Sequence, residues 1–456
     1  MAQPTNETAR GAEPSAGPSI LERMFKLSER GTNVRTEFIA GLTTFMTMSY
    51  IIFVNPLILS DAGIPREAAF AATIFASVFT TVLIALWANF PVASAPGMGL
   101  NAFFAYTVVL GMGLSWQTAL GAVFISGIAF FILTITGIRA LLVDAVPPVL
   151  KASIGVGIGL FIAFIGFKNA GIVVADETNF VALGDLTTVG PLLAVLGLVL
   201  AAFFMVRGIR GAFVVAILAV TVIGMFFGLS NPPTSIGDVF SLSSIGAISQ
   251  TFLAMDVGAA VAYGIFSIIF SFTVVELFDN MATLIGLSRR AGLMDEKGKI
   301  HNLNRALSAD AVGTMGSAAL GSTAMNAYIE NATGISEGGR TGLKALFVAG
   351  FFTLCLVLSP LITLIPAVAT APILILVGAI MLSEIRHISF DDYTDTIPAF
   401  LTIIMMPLTF SIAEGLAFGF VSYTLLKLLT GRVKEIHWMT YFISAAFILN
   451  FYMLSH

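Results

Sequence analysis

Four carboxylic acids stand inside stretches that are otherwise apolar: Glu276 and Asp279 in VVELFDNMATLIG, Asp310 in ALSADAVG and Glu330 in NAYIENATG. A charged side chain at the centre of a bilayer costs about 2.5–3.5 kcal/mol on insertion scales, so each of these acids needs a reason to be there. Glu276 and Asp279 are three residues apart and share one face of a helix. No Lys or Arg falls well inside an apolar run, so the acids have no cation partner within the membrane. A carboxyl in that position keeps its proton or binds a transported ion, which makes Glu276, Asp279 and Asp310 candidates for ion coupling. The alternative is structural, an acid hydrogen-bonded to neighbouring backbone to join two helices. Asp310, among Ala309, Ala311 and Gly313, fits that alternative as well as the first.

Two further stretches change texture halfway across. FPVASAPGMGLNAFFAY begins at Phe90 and GSAALGSTAMNAYIENATG begins at Gly316, each small and polar before it turns apolar. Pro removes a backbone donor and Gly loosens a helix, so neither is expected to be a continuous spanning helix. Both should enter as extended backbone and become helical midway, where free N–H groups and the positive dipole end face a pocket. Irregular backbone at that depth must be buried in protein or line a wet cavity. A pair of interrupted segments in corresponding positions points to a substrate site at mid-membrane. Gly99, Asn101, Thr323, Asn326, Glu276 and Glu330 are the candidate binding residues, with Asn101 and Asn326 expected to open the two helices. The competing explanation is a pair of Gly-rich packing interfaces.

The elements that position these residues follow from composition. Of 456 residues, 57% are hydrophobic and 11% charged, whereas a soluble chain carries about a quarter charged residues. Apolar runs near 38–59, 68–90, 93–111, 116–138, 152–168, 189–206 and 211–228, and near 261–287, 305–317, 318–335, 342–359, 371–385, 396–412 and 414–431, give fourteen spans. A further apolar stretch at 441–454 either spans or lies in the interface. With a cytoplasmic N-terminus, only Arg66 and Lys168 of the 22 basic residues fall outside, as the positive-inside rule asks. Lys344 is among those placed in the cytoplasm. Residues 1–18 are polar, with Pro4, Pro14 and Pro18, and read as a disordered tail without a signal peptide. Ile20 to Leu27 follow as an amphipathic piece at the membrane surface. Cys355 is the single cysteine, so no internal disulfide forms.

The chain also echoes itself. GMGLNAFFAY at 97–106 aligns with STAMNAYIEN at 322–331, placing Asn101 on Asn326. VPPVLKASIGVGIG at 146–159 resembles IPAVATAPILILVG at 365–378. Seven spans per half is odd, so the halves should be inserted in opposite orientations. The expected layout is a tail at 1–36, a first repeat at 37–228, an extracellular connection at 229–260, a second repeat at 261–431 and an apolar segment at 432–456. SEGGRTG at 336–342 lacks a P-loop ending, and no nucleotide-binding domain is present to drive transport with ATP. No His has metal-ligand spacing, and no nucleophile–base constellation supports a membrane enzyme.

APGMGLNAFFAYTVV, VELFDNMATLIG, AGLMDEKGK, ALSADAVGT and YIENATGISEGGRTGL together resemble the AzgA-like purine permeases of the nucleobase–cation symporter superfamily, from about Thr36 to about Arg432. The resemblance implies an all-α polytopic membrane protein of the uracil-permease fold. That fold has two inverted seven-span repeats, core and gate domains, and short strands in spans three and ten. It implies proton-coupled import of adenine, guanine or hypoxanthine across the plasma membrane, without a cofactor or metal. Its important residues fall on Asn101, Glu276, Asp279, Asp310 and Glu330. The expected partners are a purine base and the lipid bilayer, with no nucleic acid; a homodimer and sodium coupling stay open. The chain has Glu276 where the family usually reads Asp-Leu-Phe-Asp, and the longer acid bears on purine preference. An anion transporter or channel of the related sulfate-carrier type is the alternative. It would want a basic residue near the two half-helices.

Overall fold

The computed structural model describes residues 19–137, 146–262, 266–295 and 300–454. Side chains of a few further positions, Asp279 among them, lie outside the described residues. So do the tail at 1–18, Arg139, Lys297 and Lys299, on which sequence expectations fell.

Helix α1 (Ile20–Phe25) is the expected surface piece: Ile20 is exposed, while Phe25 and Leu27 pack on Leu343. The long apolar helices follow: α2 (Val34–Met48), α3 (Ile51–Asp61), α4 (Arg66–Leu83), α5 (Met98–Ala102, continued by wider turns to Gly111), α6 (Trp116–Thr136), α7 (Pro148–Asn169), α8 (Val189–Val206) and α9 (Ala212–Phe226). After a connection of short helical turns come α10 (Phe266–Arg290), α11 (Leu303–Leu320), α12 (Asn331–Ser336), α13 (Gly342–Leu354), α14 (Ala367–Met381), α15 (Tyr393–Thr409), α16 (Ile412–Leu429) and α17 (Trp438–Leu454). Caps set several starts. The Asn33 side chain accepts from the Thr36 amide, Ser115 from Thr118, and Asp392 from Thr394. The amide and hydroxyl of Thr394 hold the Asp392 carboxyl, outside the span, down at about 2. Seven described helices are long and apolar enough to cross a membrane. Helices this apolar all round are buried in protein or lipid. The stretch Val34–Asp61 is 78% buried and α8 only 22%, which puts the first inside and leaves the second to face lipid.

The expected tail boundary at 36 falls inside α2. The connection at 229–260 is fastened rather than loose: the Ser241 amide donates to Val357 O at 2.8 Å and the Asp256 amide to Gln117 O at 2.9 Å. The apolar C-terminal stretch forms α17, held to α16 by Thr424 and Ser444 hydroxyls 2.7 Å apart.

Two strands lie where the sequence loses helical character. β1 (Ser94–Pro96) pairs antiparallel with β4 (Met325–Ala327), with Ala95 opposite Asn326. A second hairpin, β2 (Val173–Asp176) with β3 (Phe180–Leu183), is exposed. The β1–β4 register corrects the first sequence echo. Asn101 lies in the first turns of α5, but Asn326 sits mid-strand and opens no helix. The shared Asn-Ala-aromatic triplet thus lies on helix in one segment and begins on strand in the other.

The helices pack in two groups. In one, α13 lies on α2 and α4, α11 on α4 and α6, and α10 on α6; in the other, α7 lies on α14 and α15, α8 on α9 and α14, and α15 on α16. The second sequence echo lies at a contact in the latter. A Cβ on Gly378 would come within 2.3 Å of Gly159 O, and one on Gly159 within 2.9 Å of Gly378 O. Overfilling such a contact costs about 1–3 kcal/mol. Gly378→Val is therefore expected to lower the thermal midpoint of the purified protein. Gly350→Ala, at a position with open space around it, should leave the midpoint within a degree or two of the original, as a change without new contacts does. Equal shifts for both would remove the close-approach argument.

Candidate functional site

The ladder between β1 and β4 and the residues beside it collect five of the predicted polar residues: Asn101, Glu276, Asp310, Thr323 and Asn326. Asp310, fully buried on α11, accepts from the Ser94 hydroxyl at 3.0 Å and from the Asn280 amide. Ser94 also lies 2.8 Å from Asn326 O across the ladder, and Asn280 Oδ1 accepts from the Ala327 amide at 3.2 Å. Glu276, fully buried on α10, accepts from the Thr314 hydroxyl at 2.6 Å, and Thr314 in turn accepts from the Met325 amide at 3.0 Å. The Thr323 hydroxyl donates to Asn101 Oδ1. Acids from two helices and an amide from a third are thus tied to one three-residue strand and the residues before it.

Two polar groups in this cluster keep unused capacity. Glu276 Oε2 is buried without a hydrogen-bond partner among the described residues. Asn101 Nδ2 has only a long contact, 3.4 Å, to Pro96 O. A buried carboxylate oxygen without a donor is costly and marks where a proton or a ligand donor belongs. The rings of Phe103 and Phe272 meet edge to face at 4.9 Å, which brings α5 against α10 within a turn of Asn101 and Glu276. The cluster therefore offers an acceptor and a donor, a set suited to a ligand with N–H groups on its edge.

Other expectations fare differently. Gly99 serves close packing: a Cβ there would come within 2.7 Å of Ile158 on α7. Gly97 is the glycine the strands need, since its Cβ would be 2.8 Å from the Asn326 amide. Glu330 stands between β4 and α12, half-buried, and its carboxylate accepts from the Tyr50 hydroxyl at 2.9 Å. Tyr50 meets Phe213 edge-on at 5.3 Å, so Glu330 is held toward α9. The Asp279 side chain lies outside the described residues.

The sequence reading missed four kinds of residue. Ser94, Thr314 and Asn280 carry the acids, yet small hydroxyls and amides in apolar runs look like packing residues until a partner is seen. Asn331 fastens both segments: its side chain accepts from the Ala93 amide at 2.8 Å and donates to Ala93 O at 2.8 Å and Tyr328 O at 2.7 Å. Glu37 caps α13, accepting from the amides of Arg340 and Lys344 at 2.8 and 3.0 Å. Lys344 corrects the placement of all basic residues outside the protein interior. It is fully buried, and its ammonium reaches Pro91 O and Asn331. Third in α13, it read by position as one of the cytoplasmic basic residues.

Removing the Asn101 amide leaves the Thr323 hydroxyl without its acceptor and deletes a donor held only by a long contact to Pro96 O. An unsatisfied buried group costs about 1–3 kcal/mol, so Asn101→Ala should weaken substrate affinity roughly tenfold or more. The check is an affinity measurement on purified protein. Unchanged affinity makes Asn101 a packing residue.

The permease family whose members include the xanthine/uracil permeases matches residues 35–418. Adenine permease AdeQ of Escherichia coli K12 is 42% identical over 430 residues, spanning 94% of this chain and 96% of that one. Guanine/hypoxanthine permease PbuO of Bacillus subtilis 168 is 41% identical over 435 residues, spanning 94% of this chain and 100% of that one. Among solved structures, the transmembrane domain of the cyanobacterial bicarbonate transporter BicA superposes with a TM-score of 0.61 at 16% identity, over 84% of this chain and 97% of that one. That likeness concerns the fold alone. With apolar helices throughout and the family match over most of its length, the chain belongs to the xanthine/uracil permease family, a multi-pass membrane permease and not an enzyme.

Proposed function

We propose that this permease is a secondary active transporter importing purine nucleobases, adenine, guanine or hypoxanthine, by proton symport. The observation that carries the reading is the buried Glu276 Oε2, without a hydrogen-bond partner among the described residues. Its helix packs through Phe272 and Phe103 against the segment that bears the loosely held Asn101 amide. A purine edge presents ring N–H donors and ring nitrogen acceptors, which match that pair. Relatives named for adenine and for guanine/hypoxanthine support the same class. Glu330, held by Tyr50, is the second acid for the base, and a proton shared among Glu276, Asp279 and Asp310 couples the movement.

In this reading fourteen spans form two inverted repeats, with the N-terminus cytoplasmic in the plasma membrane, and the two helix groups are core and gate. Support comes from the pairing of contacts. The α2–α13 contact has its counterpart in α10–α6, α4–α13 in α11–α6, α7–α15 in α14–α8, and α8–α9 in α15–α16. The mutual approach of Gly159 and Gly378, aligned in the second echo, is what a pseudo-two-fold axis between repeats requires. Alternating access then moves one group against the other.

One observation favours the anion-carrier alternative, the buried Lys344 beside both half-helix segments. Its ammonium has three donors, and the oxygens of Pro91 and Asn331 take all three at 3.0–3.2 Å. None is left for an anion.

The test is uptake of labelled adenine, guanine, hypoxanthine and bicarbonate by a transport-deficient host, at several external pH values, with and without a protonophore. Purine accumulation that rises with external acidity and collapses with the proton gradient is expected. Glu276→Gln should abolish accumulation while the protein stays in the membrane. Accumulation that outlives the proton gradient and needs sodium would overturn proton coupling. Bicarbonate uptake without purine uptake would overturn the substrate class.

A further inference from the structure

Lys344 is absorbed neither by the substrate site nor by the acids of the proton path. Its side chain is fully buried, and among the described residues its ammonium forms no ion pair with a carboxylate within 4 Å. The nearby Glu37 carboxylate is taken up by backbone amides of Arg340, Thr341 and Lys344 itself, at 2.8, 3.4 and 3.0 Å. What surrounds the ammonium is oxygen: Pro91 O at 3.0 Å, Asn331 O at 3.2 Å and Asn331 Oδ1 at 3.0 Å.

Those oxygens belong to different parts of the chain. Pro91 leads into β1, and Asn331 begins α12 just after β4. Both lie on the discontinuous segments that carry the site. The path of the lysine stem is also built. A Cβ on Gly334 would come within 2.8 Å of Lys344 Cε, and one on Gly339 within 3.0 Å of its Cδ. Two glycines thus leave a slot for four methylenes, and three oxygens close its end. A cluster of carbonyl oxygens buried where two broken segments meet is what holds a free monovalent cation in other settings, because the oxygens replace its water.

We propose that Lys344 is a tethered cation: its ammonium permanently fills a carbonyl-lined monovalent-cation site that joins the two discontinuous segments. The positive charge comes with the chain and does not enter from solution. Lys344 is therefore a positioning residue, acting on the substrate site through Pro91 and Asn331. The role is separate from which solute is carried, and it rests on the transporter reading only where uptake is measured.

Truncating the tether while leaving the oxygens should uncover the site. Lys344→Ala creates a slot and an empty oxygen cluster, which methylammonium fits and tetramethylammonium, without N–H groups and too wide, does not. The experiment is thermal unfolding of the detergent-purified full chain, wild type and Lys344→Ala, against increasing methylammonium chloride with tetramethylammonium chloride as control. The expected result is a lowered midpoint for Lys344→Ala that methylammonium raises and tetramethylammonium does not, with no response from wild type. Lys344→Met, which refills the slot without a charge, should stay low in both salts. Protein that survives purification only with methylammonium, and is lost when the amine is removed, is the same result. In cells, uptake by Lys344→Ala should fall roughly tenfold or more and recover several-fold with methylammonium.

A midpoint unchanged by Lys344→Ala overturns the proposal, as does an equal response to both salts or failure to accumulate with and without the amine. The thermal measurement involves no transported solute. If wild type carried no purine, the proposed function would fail while this inference stood or fell on its own result.

Discussion

Backbone that leaves the helical state at mid-membrane has no water to satisfy its amides and carbonyls, and each unpaired group costs several kcal/mol. The β1–β4 ladder is how this permease meets that constraint, and the rest of the site is arranged around it. Three residue pairs cannot close two broken segments alone, so side chains complete the work. Thr81 takes the Ser94 amide at 3.0 Å and donates to its carbonyl at 3.1 Å, the Tyr328 hydroxyl donates to Pro96 O at 2.6 Å, and Asn331 clamps Ala93. Pro96 suits its place at the end of a two-stranded ladder, which asks little of its missing donor.

The same constraint explains why acids occur where they do. Asp310 and Glu276 sit among hydroxyls and amides whose other ends hold strand backbone, through Ser94, Asn280 and Thr314. A change in the charge of either acid is thereby felt at the ladder, with no long lever between. That is a direct physical route from a proton to the geometry of the segment bearing Asn101's partner, Thr323.

The two helix groups touch through contacts that differ in kind at the two ends. Toward one face the Thr107 hydroxyl donates to Phe410 O at 2.6 Å, and Phe410, at a φ of +55°, meets Phe161 edge to face. Tyr106 joins that end, donating to Asp61 at 2.7 Å and accepting from Asn169 at 3.3 Å. Toward the other face an exposed ion pair links Arg210 to Glu337. Exposed pairs contribute about 0–1 kcal/mol, whereas the first end combines buried hydrogen bonds with ring packing.

Much of this was already legible in the residues. The membrane class followed from 57% hydrophobic against 11% charged, and long apolar helices followed from the apolar runs, because burial in lipid demands both length and composition. The two broken segments were legible as Pro96 and Gly97 before α5 and as Gly321 to Thr323 after α11. Gly99 and Gly316 to Leu320, expected in extended backbone, are helical. Asp310 and Glu276 were legible because a charge in hydrocarbon is conspicuous. What the residues did not contain was pairing. That Asn326 faces Ala95 and does not match Asn101, that Gly99 packs on Ile158, that Tyr50 claims Glu330 and that Lys344 lies buried against Pro91 and Asn331 depend on residues hundreds of positions apart meeting in space. Periodicity and composition report how a residue sits in its own element, whereas hydrogen-bond partners are chosen by the packing of elements. Only the tertiary structure decides them.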